Sequence, residues 1–185
     1  MANPGETALL LVCPQAEPAV AGQRTTYDSA AQEGIPAHVT VLYPFKQLDA
    51  IDEDDHRRLE TIFADLAPFL LRGSRTDWFD DRVLYVAPDD PSPVQDLTAR
   101  VIAAFPDFPP YRGAFAEVIP HLTVGADRPI EELRAAEQDV RSRLPFEQPL
   151  DHVELWTGPA VEGLGGPVTW RCLRSYPFRS DHLNA

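Results

Sequence analysis

The sequence predicts an α+β fold: a single domain over residues 1–185, built of two similar lobes, each a small antiparallel sheet backed by helices. Short apolar runs rich in β-branched residues, bounded by proline and glycine, predict strands. Longer segments with apolar residues at helical spacing predict helices between them. The order of these elements also repeats. Each half carries a helix, a strand containing His-x-Thr, a second helix and then two strands.

Taken in order, Thr7 to Cys13 reads as a buried strand between Pro4-Gly5 and Pro14. Pro18 to Gly34 reads as a helix that ends at its glycine. The run His38-Val39-Thr40-Val41-Leu42-Tyr43 is a strand set between Pro36 and Pro44. Asp52 to Leu71 is the clearest helix, with Leu59, Ile62, Phe63, Leu66, Phe69 and Leu70 on one face. Its acidic start, Asp52 to Asp55, suits the positive end of a helix dipole. Short strands near Asp77–Phe79 and Arg82–Ala87 join through Asp80-Asp81. Pro93 opens a helix to Phe105, and a proline-dense loop covers Pro106 to Gly113. A strand then runs from Ile119 to Gly125, a helix from Pro129 to Leu144, and strands over Leu150–Thr157 and Val168–Tyr176. The glycine-rich segment Gly158 to Gly166 separates the last two.

Composition excludes several classes of function. Hydrophobic residues at 44% and charged residues at 24% are those of an ordinary globular domain. No apolar run is long enough to span a bilayer, and no basic residue precedes the first apolar run, so a cytoplasmic protein with no membrane partner is expected. Cys13 and Cys172 form no metal or redox spacing and read as small buried hydrophobes. A formal net charge of −13 opposes tight binding of long nucleic acid, which needs a basic stripe. A small nucleotide or an RNA-end phosphate remains the fitting partner, and the chain is expected to act as a monomer.

The chemistry concentrates in Pro36-Ala37-His38-Val39-Thr40-Val41 and Pro120-His121-Leu122-Thr123-Val124, whose histidines stand 83 residues apart. Strand alternation puts His38 and Thr40 on one face, with Val39 and Val41 on the other. His121 and Thr123 are likewise opposed to Leu122 and Val124. An approximate twofold relation between the lobes brings both polar faces to one cleft. Two imidazoles and two hydroxyls around one point suit a phosphate. Threonines donate to its oxygens, one neutral imidazole takes a proton, and one protonated imidazole gives one.

These paired motifs, together with Leu42-Tyr43-Pro44-Phe45 and Gly113-Ala114-Phe115, resemble the two-histidine (2H) phosphoesterase superfamily, which includes 2′-5′ RNA ligases and cyclic nucleotide phosphodiesterases. The resemblance runs over nearly the whole chain. It implies a LigT-like bilobal fold, two pseudo-symmetric antiparallel sheets flanked by helices around a central cleft, and no metal or other cofactor. It carries His38 and His121 over as the acid–base pair and Thr40 and Thr123 as phosphate ligands. It implies hydrolysis of 2′,3′-cyclic or related nucleotide phosphates. A 2′-5′ RNA ligase and a non-catalytic nucleotide or RNA-end binding module are the alternatives.

Tyr43 and Arg112 are further candidate substrate contacts, Tyr43 for stacking and Arg112 for phosphate, with Arg82 a weaker one. A regular strand would point Tyr43 away from the His38 face. His56, His152 and His182 read as structural or surface residues, and Trp78, Trp156 and Trp170 as core. No carboxylate stands at a metal-binding distance in sequence from either motif.

Overall fold

The computed structural model describes residues 5–115, 117–158 and 169–179. Eight strands and five helices follow in the order β1 (Thr7–Val12), α1 (Glu17–Tyr27), α2 (Ser29–Gln32), β2 (His38–Leu42), α3 (Glu53–Ala64), β3 (Phe69–Phe79) and β4 (Val83–Pro88). After these come α4 (Ser92–Ala104), β5 (Leu122–Ala126), α5 (Ile130–Arg141), β6 (Phe146–Leu150), β7 (His152–Thr157) and β8 (Arg171–Pro177). The strands make two four-stranded antiparallel sheets, ordered β2-β1-β7-β8 and β5-β4-β3-β6. The α+β class and the paired antiparallel sheets are those expected. The lobes are not the two halves of the sequence, however. Each sheet takes two strands from each half, so the lobes interlock.

The helices interlock too. The unit strand–helix–His-x-Thr strand–helix occurs as β1-α1-β2-α3 and again as β4-α4-β5-α5. Yet α1 packs on β5 and α4 on β2, so each motif strand is backed by a helix from the other unit. One apolar cluster runs beneath both sheets, taking in Leu9, Leu11, Val39, Val41, Leu84, Val86, Leu122 and Val124. Each fully buried leucine there contributes about 1.5–3 kcal/mol. A smaller cluster of Ala8, Leu10, Ile35 and Trp170 lies on the opposite face of the first sheet.

Several boundaries differ from the sequence reading. The long helix stops at Ala64, because Pro68 cannot continue it, and Phe69–Leu71 instead pair with β6 as the start of β3. Its start is as expected: Asp52 caps it and forms a capping box with Asp55. The helix predicted over residues 18–34 breaks at Asp28, whose backbone is extended. There the Asp28 carboxylate accepts from Ala30 N and takes the buried Arg24 guanidinium at 2.8 Å. β6 is a strand that the sequence reading lacks. It alternates buried Phe146, Gln148 and Leu150 with exposed neighbours, and it tolerates Pro149 because it is a sheet edge.

Both cysteines are free thiols. Cys13 is buried as expected, with its thiol pushed up to about 12 by burial, while Cys172 is exposed, contrary to expectation. Among the described residues, no helix is long and apolar enough to cross a membrane. The segment 159–168 and His182 lie outside the described residues.

Candidate functional site

The two motif strands occupy the same place in their sheets. β2 is the edge of the first sheet and β5 the edge of the second, and the two edges lie against each other. Both carry the same irregularity. In the first, Leu9 faces Leu42 while Leu10 faces Thr40, leaving Val41 as the extra residue of a bulge. In the second, Leu84 faces Gly125 while Tyr85 faces Thr123, leaving Val124 as the extra residue. In each case the residue after the threonine is the one squeezed out. A bulge re-aims the strand at that point, and here it does so identically twice.

The imidazoles are also tethered alike. His38 Nδ1 lies 2.8 Å from the carbonyl of Pro36, and His121 Nδ1 lies 2.7 Å from that of Ile119. A carbonyl only accepts, so Nδ1 carries the proton in each ring. In the neutral form this leaves Nε2 with a lone pair, the nitrogen free for proton transfer. His38 opens β2 and His121 stands immediately before β5, which corrects the expectation that both lie inside strands. Each ring is half-buried, while the intervening Val39 and Leu122 are fully buried.

What surrounds the rings differs. Burial pulls His38 down to about 3, helped by the Arg24 guanidinium and by positive charge on His121, against the pull of the Pro36 carbonyl. His121 is lowered by burial, against the pull of the Ile119 carbonyl. His121 is thus close enough to His38 to oppose its protonation. Arg24 is no phosphate ligand, since it is buried and held by Asp28 and, at 3.9 Å, by Glu17.

Around His121 the neighbours are aromatic. Its ring stands edge-on to Phe79 at 4.9 Å and to Tyr85 at 5.5 Å, and those two stack at 4.3 Å. Around the first motif the neighbours are polar: burial raises the Tyr111 phenol, and the nearby Thr40 hydroxyl opposes that rise. The sequence reading singles out none of Tyr111, Phe79, Tyr85 and Arg24 as site residues. Phe79 and Tyr85 were legible only as strand residues, and which motif they approach depends on β5 pairing with β4.

Comparison with known proteins decides the family. The sequence model of the 2′-5′ RNA ligase superfamily matches residues 12–161, which takes in both motifs. The chain belongs to that superfamily, the two-histidine phosphoesterases. No curated protein matches it in sequence. Solved structures share its fold at low identity. TT0787 of Thermus thermophilus is 17% identical with a TM-score of 0.59, covering 96% of this chain and 100% of its own. A structure described as a phosphoesterase is 14% identical with a TM-score of 0.58, covering 95% and 99%. LigT of E. coli, in a complex with 3′-AMP, is 13% identical with a TM-score of 0.56, again covering 95% and 99%. The superfamily comprises phosphoesterases and ligases.

In this member of the superfamily, the remaining predicted contacts fall elsewhere than expected. The Val41 bulge puts both Val41 and Leu42 into the main core, so Tyr43 joins Leu10 and Trp170 on the Thr40 side of the sheet. Its ring stands 6.1 Å from Trp170, and its hydroxyl donates to Glu6 Oε2 at 2.7 Å. Arg112 makes an ion pair with the same carboxylate. Glu6 thus engages both predicted contacts. Glu6 and Arg112 line, with Phe45, Asp107 and Phe108, a cavity of about 440 Å³ beside the first motif; neither Tyr43 nor either histidine lines it.

Arg82 pairs with Asp127 at 2.6 Å on an exposed turn. His56 bonds the Tyr176 hydroxyl at 2.6 Å, and His152 lies between Asp151 and Glu154, both structural settings as expected. Trp170, Trp78 and Trp156 all pack on core clusters, as expected, and half-buried Trp156 also gives its Nε1–H to Glu154 at 2.6 Å. Among the described residues, no group of three His, Cys, Asp or Glu side chains is placed to share a metal ion.

Proposed function

We propose that this protein hydrolyses a 2′,3′-cyclic or related nucleotide or RNA-end phosphodiester, with the two imidazoles alone moving the protons. The observation that carries this reading is the duplicated tether, which leaves Nε2 of both rings free on adjoining sheet edges. A water attacks phosphorus and gives its proton to one Nε2 lone pair. The P–O bond to one ribose oxygen breaks, and that oxygen takes a proton from the other ring's Nε2–H. The hydroxyls of Thr40 and Thr123 hold the non-bridging oxygens. One ring ends the cycle protonated and the other neutral, and solvent exchange restores them.

The unlike surroundings give the rings unlike roles in this reading. His38, beside Arg24, resists protonation more and serves as base; His121, lacking that cation, is the acid. An acidic chain of net charge −13 suits a singly charged diester of small size better than an RNA-length ligand.

The experiment is turnover of the four nucleoside 2′,3′-cyclic monophosphates with EDTA present, for the wild type, His38→Ala and His121→Ala. Turnover that survives EDTA and drops about 10²–10⁴-fold in each variant is expected. No turnover of any of the four by folded wild type contradicts a cyclic phosphodiesterase. Joining of 2′-5′ RNA ends under the same conditions would establish the ligase instead.

A further inference from the structure

The cavity at the end of β2 takes no part in the proton transfers, yet it is built like a binding site. Its volume of about 440 Å³ is that of a small-ligand pocket. Aromatic rings wall it. Buried Phe45 stands edge-on to Phe108 at 5.7 Å, and the Lys46 ammonium lies 5.7 Å from the Phe108 ring centre, so Phe108 is held by a ring and a cation. Polar groups complete the lining: Gln47, Asp107, and Arg112 paired with Glu6.

Arg112 is fixed there by its backbone. Tyr111 and Arg112 are both left-handed, at φ 51° and 56°, a region non-glycine residues keep only where the surroundings enforce it. Tyr111 N donates to the Tyr43 carbonyl at 2.7 Å and Arg112 N to Pro109 O at 3.0 Å. The guanidinium is anchored through Nη2 on buried Glu6, which also takes the Tyr43 hydroxyl at 2.7 Å. A guanidinium carries five N–H donors, and the Arg112 side chain is 65% exposed, so the pair with Glu6 leaves donors for a ligand. Among the described residues, the Asp107 carboxylate and the Gln47 amide have no hydrogen-bond or ion-pair partner.

This lining selects the chemistry of its occupant. Two carboxylates against one guanidinium disfavour an anion. Rings on the walls favour a flat molecule, and the polar groups favour one that both donates and accepts. Among nucleobases, guanine alone presents two adjacent donors, N1–H and the N2 amine, to match the two oxygens of a carboxylate. Its O6, next to them, accepts from a guanidinium. Adenine and cytosine set a ring-nitrogen acceptor beside their amine, where a carboxylate repels it.

The register gives the distance to the motif. Phe45 N donates to the Thr7 carbonyl, whereas Thr40 lies opposite Leu10 and His38 opposite Val12. At about 3.3 Å per residue along β1, the cavity is about 10 Å from Thr40 and about 17 Å from His38. The base of a ribose whose phosphate lies between the histidines falls short of that, and the next nucleotide covers it. We infer that the cavity reads a guanine on the nucleotide 5′ to an RNA-end phosphodiester. The inference rests on the reading that the motifs hold such an end.

The test compares the RNA dinucleotides GpA and ApA. With a 2′,3′-cyclic phosphate at the 3′ end they report kcat/KM; without it they report binding, followed by ¹H–¹⁵N NMR. Wild type is expected to favour GpA about 10- to 100-fold in both readouts, the range for hydrogen bonds to one charged group. Asp107→Asn, at an exposed position and checked by a thermal melt, sets an N–H₂ group against the guanine donors and is expected to bring the ratio to about one. A wild-type ratio within about twofold of one in binding, or in kcat/KM where both turn over, overturns the inference. So does a preference that survives Asp107→Asn. Guanine-selective binding that Asp107→Asn abolishes, in a protein that turns over neither cyclic dinucleotide, upholds the cavity's role and fails the proposed reaction instead.

Discussion

The two His-x-Thr motifs share a scaffold and differ in what surrounds it. Each lies at a sheet edge, each bulges at the residue after threonine, and each ties its Nδ1–H to the carbonyl two residues back. Around the first stand a buried cation, Arg24, and a phenol, Tyr111. Around the second stand the stacked rings of Phe79 and Tyr85. What the two have in common places two equivalent nitrogens. The surroundings make those nitrogens unequal in basicity, which suits the opposite proton transfers of the proposed reaction.

The largest effects are expected where the shared scaffold is removed. Alanine at either His38 or His121 is predicted to cost about 10²–10⁴ in turnover, and the double variant far less than the product of the two losses, because the rings act as a unit. Equal residual activity in all three variants, measured by single-turnover kinetics, would support this; full multiplicativity would show independent roles. Next comes the cation at the first motif. Arg24→Ala leaves Asp28 buried and unpaired and is predicted to destabilise by about 3–5 kcal/mol in urea unfolding, while raising the pH at which His38 titrates.

The scaffold's own difference ranks below these. The residue after the bulge is Leu42 in the first strand but Gly125 in the second, where an added Cβ would lie 2.7 Å from Tyr27 Cβ and 2.8 Å from Leu133 Cδ2. α1 rests closely on β5 there, so Gly125→Ala is predicted to cost about 1–3 kcal/mol. Thr98→Val, which removes the 3.2 Å hydrogen bond from α4 to the carbonyl of the bulged Val41, is predicted to cost about 1 kcal/mol. A larger loss for Thr98→Val than for Gly125→Ala would reverse the picture of which strand is held more tightly by its helix.

Acidity separates the motifs as well. His38 titrates near 6.5 in an unfolded chain and at about 3 in the fold. Between those values the unfolded state binds more protons, so the stability that His38 contributes is present above about pH 6.5 and is lost as pH falls toward 3. The same depression sets the rate profile. In the free enzyme the base is available above about 3 and the acid protonated below a value lowered from 6.5, so kcat/KM should peak on the acid side of 6.5. A peak above pH 7 would contradict the assignment of the acid.

The strands that hold the motifs were legible because alternation and bounding prolines fix them locally: Pro36 and Pro44 around β2, Pro120 before β5. The paired histidines and threonines were legible for the same reason. Three things were not. The alternation in β6 is interrupted by Pro149, which only an edge position excuses. Tyr43 changes sides because of a bulge, a feature of pairing with β1 that no spacing within β2 reveals. Arg112 sits beside the site in sequence, yet its charge goes to Glu6, 106 residues away. Local pattern placed the chemistry, and long-range contacts decided which neighbours serve it.

The unequal pair is tested most directly by following the ring nitrogens of His38 and His121 with ¹⁵N–¹H long-range NMR over pH 3 to 8, using His38→Ala and His121→Ala for assignment. The account predicts both rings as Nδ1–H tautomers at neutral pH, with His121 titrating below 6.5 and His38 well below His121. An Nε2–H tautomer in either ring, or His38 titrating at or above His121, would contradict it.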